Sequence, residues 1–295
     1  MHSLLSKMRR YKKEKTLIEK IVKFMTDAGA FACARQNDID FFQSKLKSEN
    51  IKDVVTTADF AVSRMFREFV AKEFGNLDYI IVDEEFVHKL GPDPIAEIKK
   101  HKYAFVIDPI DGTLAYSNKY PFWGICVGVF KDGEPFVGGA FAPALNLMVY
   151  ADEDKAYTVE NGETKELRPL PDNVESAPIF SLSRNNKVFL KEPFDYAAIL
   201  PISGQPAVIN MIWVALGMSR GYCFGAYIWD ISGMLPVFLR LGIQIRGVTD
   251  GRIFTPFDSN TYRSDALRVS HLYVISRPKY YDYLKDLLEI KGYYK

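Results

Sequence analysis

The chain has 295 residues, 48% of them hydrophobic and 25% charged, with no low-complexity tract. That composition predicts a soluble globular protein, long enough for one large domain or two sharing an interface. A formal net charge of +1 gives no overall attraction to nucleic acid or an anionic membrane. No apolar run reaches bilayer-spanning length, and the N-terminus lacks the apolar core of a signal peptide. The expectation is a cytoplasmic protein without nucleic-acid or membrane partners. Cys33, Cys126 and Cys223 are widely spaced in apolar sequence, which predicts reduced core thiols rather than disulfides or a zinc site.

Along the chain, the first sixty residues predict helix, apart from a polar stretch over 36–53. A basic cluster (Lys7, Arg9, Arg10, Lys12, Lys13 and Lys15) precedes apolar residues at helical spacing and reads as a solvated first turn or terminus. A helix is predicted from Thr57, with Asp59 at its start and Phe60, Met65, Phe66, Phe69 and Val70 at helical spacing. Strands follow at 79–82 and 103–107. Apolar runs at 125–130, 136–141, 147–150 and 156–159, separated by hairpin-sized gaps, predict an antiparallel meander. Pro169 and Pro171 mark a boundary between an N-terminal α+β half, 1–166, and a C-terminal α/β half, 167–295. Beyond it the pattern predicts strands at 179–182, 222–224, 243–245, 267–269 and 273–276. Helices are predicted near 194–200 and 208–216, from Trp229, and at 279–288. The fold class is a layered α+β or α/β sandwich with alternating helix and sheet layers and mixed and antiparallel sheets.

The sequence Asp108-Pro109-Ile110-Asp111-Gly112-Thr113 sets two carboxylates three residues apart, after a run that reads as a buried strand. Pro109 pushes Asp108 towards extended backbone and Gly112 permits a reversal, so both acids should sit where the strand ends and the chain turns. Two ionised carboxylates about 4 Å apart repel by roughly 4 kcal/mol at an effective dielectric near 20. A hard divalent cation would compensate. An ordinary surface turn is the alternative for such a peptide taken alone.

Three further acidic segments occupy predicted strand ends or helix starts: Asp53-Val-Val-Thr-Thr-Ala-Asp59, Asp83-Glu84-Glu85 and Trp229-Asp230-Ile-Ser-Gly233. Singly, each could be a helix cap or a solvated corner. Together, in this order and spacing, the four segments resemble the signature of the inositol monophosphatase superfamily of metal-dependent, lithium-sensitive phosphomonoesterases. Tyr120-Pro-Phe122 and Gly204 extend the resemblance, which covers nearly the whole chain.

The resemblance implies that Glu84, Asp108 and the Ile110 carbonyl hold one Mg²⁺, and that Asp108, Asp111 and Asp230 hold a second. Two or three ions would be expected, with Mn²⁺ as an alternative, since oxygen-only ligands suit these metals. Asp59 and Thr113 would orient and deprotonate the attacking water. Asp111, Gly112, Thr113, Gly204 and Asp230 would contact the phosphate or the rest of the substrate. A homodimer acting on a small phosphorylated metabolite is also implied. The four histidines (His2, His88, His101, His271) fit no phosphohistidine or Ser-His-Asp signature and read as structural or surface residues.

The chain departs from the family pattern around the leaving group. Leu114-Ala115-Tyr116 follows the central motif, Gly204-Gln205-Pro206 replaces a small polar run, and Cys223 stands where inositol-specific members carry an acid. The expected substrate is therefore not confined to inositol phosphate. 3′-Phosphoadenosine 5′-phosphate, fructose 1,6-bisphosphate and histidinol phosphate are alternatives, and a non-catalytic phosphate-binding protein is the alternative of a different class. Tyr116, Phe122, Tyr222 and Tyr227 could stack on a base, but in apolar runs they read as core.

Overall fold

The computed structural model describes residues 2–37, 57–183, 188–191, 195–225, 227–258, 261–263 and 267–290. The polar stretch from 38 onward, the Asp53–Thr56 part of the first acidic segment and Phe194 lie outside these residues, as do the side chains of the basic N-terminal cluster.

Two helices open the fold, α1 (His2–Asn37) and α2 (Thr57–Phe74). Strand β1 (Tyr79–Asp83) runs into a 3-10 segment, Glu84–Leu90, and a short helix α3 (Pro94–Ile98). After β2 (Tyr103–Asp111) and α4 (Thr113–Ser117) comes the predicted meander. It comprises β3 (Gly124–Lys131), β4 (Glu134–Ala142), β5 (Leu147–Ala151), β6 (Ala156–Glu160) and β7 (Glu163–Leu167). These seven strands form one sheet in sequence order. Its β1–β2 pair is parallel, which the crossover through α3 permits, and the other pairs are antiparallel.

The remaining chain supplies β8 (Ile179–Leu182), β9 (Val188–Leu190), β10 (Leu200–Ser203), α5 (Ala207–Ala215) and β11 (Gly221–Phe224). Then follow α6 (Ile228–Ser232), α7 (Met234–Leu241), β12 (Gln244–Gly247), β13 (Tyr262–Arg263) and β14 (Arg268–Val269). The last elements are β15 (Tyr273–Ser276), α8 (Tyr281–Asp286) and β16 (Leu288–Ile290). A second, mixed sheet has the order β10-β8-β11-β15-β12.

Alternation along the strands builds the layers. Phe105 and Ile107 of β2 face α1 and α2, packing with Ile21, Phe24, Phe66 and Val70. Their neighbours Ala104 and Val106 face the opposite way, towards α5, α6 and α7. Those three helices lie between the two sheets, because Tyr222, Phe224 and Ile275 of the second sheet join the same cluster. Cys223 and Val274 point to the outer face, where Tyr281 and Leu284 of α8 cover them. The order is helix, sheet, helix, sheet, helix, as a two-residue strand period and buried sheet faces require.

Three expectations change. The helix expected near 194–200 is a turn, with the Asp195 side chain accepting from the Ala197 N–H at 2.8 Å. The chain then enters edge strand β10, where Pro201 needs no ladder donor. The terminal helix is shorter than 279–288, since Leu288–Ile290 instead pairs with β9. Strand β7 escapes the pattern because it is an edge strand with almost no buried residue to mark a period.

Candidate metal and phosphate site

Side chains three apart on a regular strand point to opposite faces. Asp108 and Asp111 avoid this because β2 does not stop at Ile107 but continues, through a bulge, to Asp111. Asp108 pairs with Cys126 and Asp111 with Gly124, so Pro109 and Ile110 together oppose Ile125. The extra residue shifts the alternation by one. Ile110 joins the cluster of Phe105 and Ile107 on the α1–α2 face, and both carboxylates turn to the other. Pro109 suits the bulge because it has no N–H to lose from the ladder.

Asp230 meets them from α6. Its Oδ2 accepts the Tyr227 N–H at 2.6 Å, which fixes the carboxylate against the start of its own helix. Asp111 Oδ2 accepts the Val208 N–H from the first turn of α5. Asp108, Asp111 and Asp230 each offer an oxygen within 4.8 Å of the other two. Glu84 is not part of that triad, but it follows Asp83, whose parallel partner is Ile107, and so stands beside the strand end that carries Asp108. Asp83 itself is used for positioning. Its buried carboxylate accepts from Ser63 Oγ at 2.9 Å and Arg67 Nε at 3.2 Å, tying β1 to α2 and thereby Glu84 to the helix of Asp59.

The electrostatics are those of a buried acid cluster, in which desolvation outweighs the lowering effect of Arg268 on Asp230. Burial, then the Asp230, Glu85, Asp59 and Asp111 charges, push Glu84 up to about 9. Burial and Asp230 push Asp111 up to about 8, against the lowering effect of the Val208 and Ala207 N–H groups. Asp108 is raised by burial and by Glu84, Asp111 and Asp230, while burial takes Asp230 to about 6. Asp108 Oδ1 is buried with no hydrogen-bond partner. An orphaned, desolvated carboxylate oxygen within an all-oxygen triad fits a hard divalent cation such as Mg²⁺ and gives no soft ligand for zinc.

Thr113 opens α4 immediately beyond. Gly112, at φ 94°, makes the turn that an L side chain would resist. A Cβ there would also collide with the Pro206 ring, so the Gly204–Pro206 loop lies against this turn. The Thr113 hydroxyl has both Asp59 Oδ1 and the Ile110 carbonyl at 3.1 Å. Ile110 O keeps a second lone pair for another partner. Gly204 itself has φ 94° and open space where a side chain would go.

At the departures from the family pattern, strand parity decides which side chain faces the acids. Cys223 faces α8, so the residue at this position does not line the acid cluster. Tyr222 takes the inward place, where burial first, and then the charges of Asp111 and Asp230, raise its phenol. Tyr116 is buried, its hydroxyl donating to Ala32 O at 2.8 Å. The Tyr227 ring stacks on Trp229, centroids 4.6 Å apart and planes within 5°. Of Tyr116, Phe122, Tyr222 and Tyr227, only Phe122 is exposed. Arg268 and the Val208 N–H also belong to the surroundings of the site. Nothing in their local sequence marks them, since only the fold brings them near the acids.

A sequence model of the inositol monophosphatase family matches residues 14–273. Inositol monophosphatase 1 of Saccharomyces cerevisiae is 25% identical over 228 residues, 71% of this chain and 75% of that protein. Fructose-1,6-bisphosphatase/inositol-1-monophosphatase of Aquifex aeolicus is 26% identical over 238 residues, 76% of this chain and 86% of that protein. In three dimensions, an IMPase from Thermotoga maritima superposes with a TM-score of 0.70 at 20% identity, over 92% of this chain and 96% of the other. The layered fold is shared, and by the span of the family match the chain belongs to the inositol monophosphatase family of phosphatases.

Proposed function

We propose that this protein is a divalent-metal-dependent phosphomonoesterase that hydrolyses a small phosphorylated metabolite, with Mg²⁺ as its metal. One observation carries the reading. A buried carboxylate triad with an orphaned oxygen on Asp108 lies within one turn of a hydroxyl–carboxylate pair, Thr113 and Asp59. Asp108, Asp111 and Asp230 would hold metal, with Glu84 and the Ile110 carbonyl completing the ligands of a first ion. Bound there, divalent ions supply charge neutralisation on the phosphoryl oxygens and lower the pKa of a bound water.

The residues then divide the work. Thr113 Oγ1, held by Asp59, accepts a hydrogen bond from the attacking water and sets its direction. Asp59 takes up the proton that passes through that hydroxyl. The Gly112–Thr113 turn and the Gly204 loop cradle the phosphate, with their N–H groups as donors. Inositol 1-phosphate and fructose 1,6-bisphosphate are the substrates that the named relatives suggest. Lithium sensitivity, a homodimer and a cytoplasmic setting go with the reading through the family resemblance. Among the described residues, no helix is long and apolar enough to cross a membrane.

The test is a phosphate-release screen with Mg²⁺ over inositol 1-phosphate, fructose 1,6-bisphosphate, 3′-phosphoadenosine 5′-phosphate and histidinol phosphate. Turnover that disappears with chelator is expected for at least one. Folded, metal-loaded protein that releases phosphate from none would leave a phosphate-binding role instead.

A further inference from the structure

Cys126 stands between the elements that carry two of the triad acids. On β3 it pairs directly with Asp108 of β2. Directly opposed residues of an antiparallel pair put their side chains on the same face, so the thiol lies beside the Asp108 carboxylate. The same sulfur accepts the Gly233 N–H at 3.3 Å. Gly233 follows the last residue of α6, the helix of Asp230, and joins it to α7. Two residues along β3, and therefore on the same face, a Cβ on Gly128 would collide with the Ser232 carbonyl. The end of α6 thus rests on the strand backbone at Gly128 and is tied to the strand by the thiol at Cys126.

The thiol is suited to holding rather than reacting. It is fully buried, and burial above all pushes it up to about 12, so it stays protonated and adds no charge to the acids. Among the described residues the ligand atoms that converge are those of Asp108, Asp111 and Asp230, without the sulfur. What the thiol can influence is the spacing of those ligands. A small octahedral ion such as Mg²⁺ demands near-ideal geometry, and partners that orient ligands affect metal affinity almost as the ligands do.

We propose that Cys126 is a positioning residue for the metal: by holding the end of the Asp230 helix against the strand pair that carries Asp108, it sets the spacing of these two carboxylates. The inference rests on the metal that the phosphomonoesterase reading requires, and extends it to a side chain outside the ligand set.

Titration of the metal-free full-length protein with Mn²⁺, the free ion counted by its EPR signal, tests this without substrate or turnover. Cys126→Ala removes the acceptor and should weaken Mn²⁺ binding by about tenfold or more. Cys126→Ser keeps an acceptor and should recover most of that loss. Val129 lies on the same strand but packs with the α1–α2 layer. Val129→Ala should therefore bind Mn²⁺ like the wild type even where it lowers the unfolding temperature as much as Cys126→Ala. If Cys126→Ala does not fold, Cys126→Val, which keeps the bulk and suits a strand, takes its place. Wild-type affinity in the variant without an acceptor would overturn the proposal. So would a serine variant no better than alanine, or an equal loss in Val129→Ala, since general loosening would then be the cause. A wild type that binds Mn²⁺ but releases no phosphate would sink the phosphatase reading alone, and the comparison of affinities would still decide the role of Cys126. A wild type that binds no ion would remove the metal reading and this proposal together.

Discussion

Thr113 Oγ1 lies 3.1 Å from Asp59 Oδ1, joining the first residue of one helix to the first turn of another 54 residues away. Asp59 is almost fully buried, so this pair is held by the packing of α2 against β2 rather than by local sequence. Thr113→Ala and Asp59→Asn should each lower kcat by about 10²–10⁴-fold, the usual range for a positioned proton-transfer group. KM should change little, because neither side chain is assigned to a ground-state phosphate contact and Thr113 meets the phosphate through its backbone N–H, which Thr113→Ala keeps. Steady-state kinetics at saturating Mg²⁺ check this. A double variant no worse than either single one would show that the two act as a unit.

Metal should reverse the electrostatic cost of the acid triad. Ions binding the folded state alone raise its stability by about 2.7 kcal/mol at a hundredfold excess over Kd. Thermal unfolding of the wild type should therefore move up with Mg²⁺. Asp111→Asn, which removes a triad carboxylate, should lose most of that shift together with activity. An equal shift in both proteins would count against the triad as the metal site.

The pH dependence of the metal-free protein has a definite sign. Glu84 and Asp111 have folded-state values of about 9 and about 8, above the usual carboxylate range near 4 in an unfolded chain. Between these limits the folded state binds more protons than the unfolded state, so unfolding free energy falls as pH rises. The stability that these protons contribute is full below pH about 4 and is lost as pH passes 8 and 9. Chelator-treated protein should thus lose stability between pH 6 and 9, and Asp108→Asn should flatten the slope. Denaturant titrations across that range decide it, and a rise in stability with pH would contradict the assigned shifts.

Gly233, closing α6, has no room for a side chain. A Cβ there would strike the Gly139 carbonyl and approach Val127 O at 2.8 Å. The helix of Asp230 therefore rests directly on the backbone of β3 and β4, which lets its carboxylate reach Asp108. Gly233→Ala should cost about 1–3 kcal/mol through overpacking and lower Mg²⁺ affinity as Asp230 moves away. Paired measurement of unfolding and Mg²⁺-dependent kinetics tests both parts, and a protein unchanged in each would refute this account of the contact.

Much of the site is local chemistry and could be read early. The Asp-Pro-Ile-Asp-Gly-Thr run carries two acids, a residue with no ladder donor and a glycine for the turn, and these needs are met within six residues. The meander likewise announces itself through apolar runs separated by turn residues. Elements whose stability comes from neighbours were less legible. Strand β10 contains Pro201 and β7 has three charged residues among its five, so each is a strand only because a partner supplies its hydrogen bonds.

The sequence by itself determined which side chains could carry the chemistry, because ligand type and turn geometry are properties of short segments. The tertiary structure alone decided which of them meet. It put Asp108 and Asp111 on one face through a one-residue bulge, a register effect that depends on the pairing with β3. It also turned Cys223 away and Tyr222 inward, since strand parity follows from which helices cover each face of a sheet. Finally it brought Arg268 to the start of the Asp230 helix through a bridge to Tyr227, 41 positions earlier, a proximity that no local pattern of residues encodes.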